Sequence, residues 1–134
     1  MSIYKHILMA TDSITNSDDT LDVTKEMAEV AGTIVSLLYT VPPLNTSGLE
    51  YQLPSIVDIE NRMICIAKER LMAAANAHDI YSDDETVAVG VSSKLILEQA
   101  SKKKVDLIIV NNDNQQAASL IGRAQCDILA VHNA

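Results

Sequence analysis

The residues best suited to chemistry stand in two polar patches, each following an apolar run. Thr11-Asp12-Ser13 follows Ile3 to Ala10, and Asn111-Asn112-Asp113-Asn114-Gln115-Gln116 follows Val105 to Val110. A strand-to-helix turn at the end of such a run can present backbone amides to an anion. A phosphate grip of that kind needs glycine, because a Cβ keeps the backbone from close approach. The chain has only 4 Gly. Gly32 and Gly48 precede the third strand expected below, Gly90 closes it, and Gly122 falls within an expected helix at 117–125, where close packing accounts for it. None is left for a phosphate loop after Val110. Asp113 would also repel a polyphosphate.

Other constellations are thin. G-x-S-x-G, H-E-x-x-H and P-loop patterns do not occur. His6 lies in an apolar strand and reads as a satisfied core or edge residue. His78 sits at a helix end, where the dipole accounts for it. His132 ends the last strand without an evident acid partner. Asp18-Asp19 and Asp83-Asp84-Glu85 lack calcium-loop spacing and read as solvated ends of elements. Cys65 and Cys126 form neither a C-x-x-C pair nor a zinc pattern, and are expected as buried, reduced thiols. No metal site is expected and no residue is assigned as catalytic.

The elements that must position these residues follow from periodicity. Apolar runs at Ile3 to Ala10, Thr33 to Val41, Glu85 to Val89, Val105 to Val110 and Asp127 to His132 read as five strands. Helical patterns fill the gaps. One spans Ser17 to Ala31, with acids in its first turns and Gly32 beyond its end. The longest runs from Pro54-Ser55 to about His78, with a Ser55–Asp58 capping pattern and an apolar stripe through Ile59, Met63, Ile66, Leu71 and Ala74. A third starts at Ser92 or Ser93 and ends in Lys102-Lys103-Lys104. Leu44 to Leu53 reads as an irregular loop. Strict alternation predicts a single α/β domain over 1–134, a doubly wound sheet of five parallel strands with helices on both faces. Ligands of such sheets sit at the carboxyl ends of the strands.

Composition narrows the partners. With 10 Lys+Arg against 18 Asp+Glu the net charge is −8, so nucleic acid and anionic membrane surfaces are not expected partners. The N-terminal apolar run is too short for a signal or transmembrane segment, and a cytoplasmic location is expected.

Tyr4-Lys5-His6-Ile7-Leu8-Met9-Ala10-Thr11-Asp12 resembles the opening strand of the universal stress protein family. Ser36 to Pro43 resembles its second strand and proline exit. Gly90, Ile96-Leu97-x-x-Ala100, Val105 to Val110 and Ile128 to Val131 resemble its later elements in order. The resemblance implies a Rossmann-like, adenine nucleotide alpha hydrolase-like fold. In nucleotide-binding members the fourth strand runs into G-x2-G-x9-G-[ST]. Here both leading glycines are replaced by Asn and most of the spacer is missing, so the chain resembles the branch without that motif. The resemblance implies a stress-response protein acting as a homodimer or through an unidentified protein partner, without ATP hydrolysis and without a bound cofactor. The family's dimer strand maps onto Ile128, Leu129, Ala130 and Val131. By position, Asp12, Val41, Asn111 and Asn114 would form a vestigial nucleotide site. Two alternatives stand: a degenerate sensor holding ATP or another adenine nucleotide through Asp12 and Val41, and a small enzyme of unrecognised chemistry.

Overall fold

A computed structural model describes residues 4–30, 32–43, 56–112 and 115–132. Strand β1 is His6–Thr11, a 3-10 turn covers Ile14–Asn16, and helix α1 is Asp18–Ala28. They are followed by β2 (Ile34–Val41), α2 (Ile56–Ala77), β3 (Asp84–Val89) and α3 (Ser92–Lys102). Strand β4 (Leu107–Asn111), α4 (Gln115–Leu120) and β5 (Asp127–Val131) complete the chain order. The five strands form one sheet in the order β3-β2-β1-β4-β5, with every neighbouring pair parallel. The alternation read from the sequence is therefore realised in full. The predicted loop at 44–53 and the Ser55 cap lie outside the described residues.

Burial on both faces explains why the central strands are apolar without interruption. Ile7, Leu8, Met9 and Ala10 of β1 are all fully buried, and so are Ile108, Ile109 and Val110 of β4. Their side chains alternate between the two faces, as strand geometry requires. Met9, Val35 and Leu37 pack with Leu21 of α1 and with Leu71 and Ala75 of α2. Leu8, Ala10, Leu38 and Ile108 pack with Ile96 and Ala100 of α3 and with Ala117 and Leu120 of α4. Helices α1 and α2 thus cover one face, and α3 and α4 the other.

Two expected details differ. Helix α2 buries Ala67, Leu71 and Ala75 at four-residue spacing, whereas Ile59 and Ile66 are exposed. Of the three buried residues, Leu71 and Ala75 pack with Val35 and Leu37 of the sheet. Helix α3 is not capped by a serine side chain. Its N-cap is Val91, and the Ser92 hydroxyl is bonded to Thr40 of β2.

Acids before the strands hold the other end of the sheet. Asp106 accepts hydrogen bonds from the amides of Lys5 (2.8 Å) and His6 (3.0 Å), and Asp83 accepts one from the Val35 amide (2.9 Å). Asp84 pairs with Lys103 at 2.7 Å. The cluster at 83–85 is therefore structural rather than merely solvated: Asp83 accepts from an amide of β2, Asp84 pairs with the lysine that caps the end of α3, and Glu85 accepts from the Ser82 hydroxyl.

Candidate functional site at the carboxyl ends of the strands

The chain changes direction between β1 and β4. From β1 it crosses by α1 to β2, and from β4 it leaves by α4, on the other face, to β5. The ends of these two strands border the crevice where an α/β sheet of this kind receives a ligand. Thr11 and Asn111 close the strands there, and both are buried.

Their side chains are already engaged with each other's neighbours. The Thr11 hydroxyl lies 2.6 Å from that of Ser17, and the Ser17 hydroxyl donates to the Ser13 carbonyl at 2.5 Å. The Asn111 amide nitrogen donates to the Ser17 hydroxyl at 3.3 Å, and the Thr20 hydroxyl donates to the Asn111 carbonyl oxygen. Thr24 continues the run by donating to the Thr20 carbonyl at 2.8 Å. Ser17, Thr20 and Thr24 are all fully buried. A buried polar network of this kind is rigid because each member would be left unsatisfied if its partner moved. It fastens the first turn of α1 to the ends of β1 and β4.

Of the four residues mapped as a vestigial nucleotide site, three are described, and they stand at the carboxyl ends of the neighbouring strands β2, β1 and β4. Asn111 is 2% exposed, with its amide turned toward α1. Val41 is 8% exposed, and its carbonyl accepts the Gly90 amide at 3.0 Å. Asp12 is exposed and lines an open depression of about 540 Å³ together with Ser13, Thr15, Tyr39 and Arg70. Neither Val41 nor Asn111 lines that depression. Asn114 lies outside the described residues. That Arg70 shares this depression with Asp12 was not legible in the sequence. The helical pattern places it next to the buried Leu71 without showing that α2 carries it to the end of β1.

The histidines have structural partners. His6 has its Nδ1 3.1 Å from the Lys103 carbonyl and its Nε2 2.7 Å from the Ser36 hydroxyl. The Ser36 hydroxyl also lies 3.2 Å from Asp84, which in turn holds Lys103. With both ring nitrogens occupied at the amino ends of the strands, His6 is a satisfied inner residue, as its apolar strand suggests. His78 does more than end a helix. Its Nδ1 is 2.8 Å from Asp22 and its Nε2 3.2 Å from Asp18, both on α1. Burial lowers its pKa, but the hydrogen bonds and charges of Asp22 and Asp18 outweigh that, leaving it above the ordinary value of 6.5. The four-residue spacing of Asp18 and Asp22 on one helix face was the available sign of this clamp. His132 is exposed after β5.

Two further expectations are corrected. Gly122 is not a close-packing residue inside a helix. Helix α4 ends at Leu120, Gly122 adopts φ +89°, and a Cβ there would meet nothing within 4 Å. Its left-handed conformation is the helix stop, with the amides of Arg123 and Ala124 closing on the Leu120 carbonyl. Cys65 is exposed on α2 rather than buried, while Cys126 is partly buried; both are free thiols. No group of three or more metal-ligating side chains occurs among the described residues.

Strand β5 has β4 on one side, and no described strand on the other. Ile128, Leu129 and Ala130 are half-buried and Val131 is buried. Among the described residues no helix is long and apolar enough to cross a membrane.

Comparison with known proteins agrees with this architecture. The model of the universal stress protein family matches residues 3–132. The chain is 35% identical over 141 aligned positions to universal stress protein A homolog 2 of Coxiella burnetii, covering 98% of this chain and 97% of that protein. Among solved structures, a universal stress protein in complex with cAMP superposes with a TM-score of 0.74 at 18% identity, covering 98% of this chain and 99% of the other. The Archaeoglobus fulgidus universal stress protein in complex with dAMP does so with a TM-score of 0.61 at 15% identity, covering 96% and 98%. Sheet order, helix placement and a match along nearly the whole sequence lead to one conclusion: this chain belongs to the universal stress protein family.

Proposed function

We propose that this protein serves the stress response as a dimeric interaction module that neither hydrolyses nor holds ATP. The supporting observation is the side chain of Asn111. It stands where a phosphate-binding member would begin its glycine loop, yet its amide is buried and spent on Thr20 and Ser17. A phosphate arriving there would meet a closed polar network instead of free backbone amides. The cytoplasm is the compartment that fits this reading. The role of β5 is argued from its edge: an apolar strand open on one side is stabilised when a second copy pairs with it or covers it.

The decisive experiment pairs sedimentation with ligand titration. Dimers at micromolar concentration, shifted toward monomer by Ala130→Glu, are expected, and ATP should leave the melting temperature unchanged. A strictly monomeric wild type would overturn the dimer. A dose-dependent rise in melting temperature with ATP would overturn the non-binding reading, because any ligand selective for the folded state raises it.

The second reading is a purine-nucleotide sensor, and two observations favour keeping it. Asp12 is exposed at the end of β1 beside Tyr39 and Arg70. The two related structures above hold cAMP and dAMP, nucleotides carrying a single phosphate. AMP, dAMP and cAMP therefore belong in the same titration, with Asp12→Ala as the control. Stabilisation by one of them that Asp12→Ala removes would select this reading over the first.

A further inference from the structure

Helix α4 stops at Leu120, and the turn that follows it stands apart from the end of α3. The opening is a cleft of about 380 Å³ between the last turn of α3 and the turn that leads into β5. It lies at the amino ends of the strands, remote from Asp12 and Asn111. Leu97, Ala100, Val105 and Cys126 give it an apolar floor, and Lys104 and Arg123 stand at it from different segments. Both cations are exposed, and neither forms an ion pair among the described residues. Ser101 and Gln125 complete a lining that is polar and apolar in about equal measure, and a concavity of this size that joins an apolar floor to polar groups can seat a small amphipathic molecule.

We propose that this cleft binds a small monocarboxylate, its hydrocarbon body on the floor and its carboxylate between Lys104 and Arg123. The acids nearest the floor fix that orientation. Asp106 spends its carboxylate on the amides of Lys5 and His6, and Asp127 accepts from the Tyr4 hydroxyl, which belongs to the α1 side of the sheet. Burial, with help from Asp127 and Asp106, pushes the Cys126 thiol up, so it stays protonated and presents a soft apolar surface. The burial and nearby acids that keep this thiol neutral also disfavour a carboxylate at the floor, and the two cations are left as its place. The site binds and does not react.

The test is a titration of the full chain with hexanoate, followed by calorimetry and by alkylation of Cys126 with N-ethylmaleimide, resolved from Cys65 by peptide mass. Binding with a Kd of about 1 mM or tighter is expected. Hexanoate should slow alkylation of Cys126 and leave that of Cys65 unchanged. The double substitution Lys104→Glu, Arg123→Glu changes only exposed side chains and should weaken binding at least about tenfold, or ~1.4 kcal/mol. Hexanol or inorganic phosphate should each bind far more weakly than hexanoate. Absence of binding, equal affinity for hexanol or phosphate, unchanged affinity in the double variant, or no protection of Cys126 would each overturn the proposal.

Discussion

Replacing Asn111 by Ala should destabilise the fold more than any exposed substitution, by a computable route. The side chain is 2% exposed and joined to Thr20 and Ser17. Ser17 keeps two partners without it, the Thr11 hydroxyl and the Ser13 carbonyl. Thr20 does not: its fully buried hydroxyl has Asn111 as its acceptor. A buried donor left unsatisfied costs about 1–3 kcal/mol, and the small cavity adds about 1 kcal/mol. The expected loss is therefore about 2–4 kcal/mol, readable as a lower urea midpoint at unchanged slope. The double variant Asn111→Ala, Thr20→Val removes the orphaned hydroxyl as well. It should be more stable than the sum of its parts by about 1–2 kcal/mol, since coupling of this size marks groups in direct contact. A single variant within about 0.5 kcal/mol of wild type, or strict additivity in the cycle, would refute the claim that this network closes the crevice.

Three other outcomes are expected. His78 has a folded-state pKa raised above 6.5, so its clamp on α1 contributes fully below that value and is lost as pH rises through the folded pKa. Melting temperature should fall from pH 6 toward alkaline pH, and His78→Gln should flatten that slope; an unchanged slope in the variant would count against the clamp. Gly122→Val places a β-branched residue at φ +89° with nothing nearby to clash, so calorimetry should read a purely conformational loss of about 1–2 kcal/mol, partly restored by Asn. In the unliganded protein Cys65 should react with a thiol reagent well before Cys126, because burial raises the latter's pKa; the reverse order, read by peptide mass, would contradict the assigned environments.

How much of this was legible in the sequence depends on range. The strands were readable because β1 and β4 are buried on both faces, which forces unbroken apolar runs. The stop of α4 was misread because Gly122 has the same composition signal as a packing glycine, and only its φ distinguishes the two. On α2 the expected stripe holds for Leu71 but not for Ile59 and Ile66, because the buried face runs through Ala67, Leu71 and Ala75, and alanine carries too weak an apolar signal to mark a face in the sequence. The candidate site was the least legible part. Asp12, Val41 and Asn111 were placed by position along the chain. Which way each one faces depends on partners far away in sequence, such as Thr20 with Asn111, 91 positions apart. Periodicity reports which face of an element is apolar, and carries no information about such pairings.

The sheet order also sets a schedule for the nascent chain. Strand β1 lies between β2 and β4, and its registers pair His6 with Ile34 but Ile7 with Leu107. A ribosome releases β1, α1 and β2 early, and these can associate at once. The other flank of β1 must wait for β4, which begins 66 positions after Val41 closes β2. At translation rates of about 5–20 residues per second that interval lasts roughly 3–13 s. Throughout it, Ile7 to Ala10, later fully buried, borders an unpaired edge. A segment that is fully buried in the finished fold is thus open along one flank during synthesis, when an unpaired apolar edge invites wrong pairing.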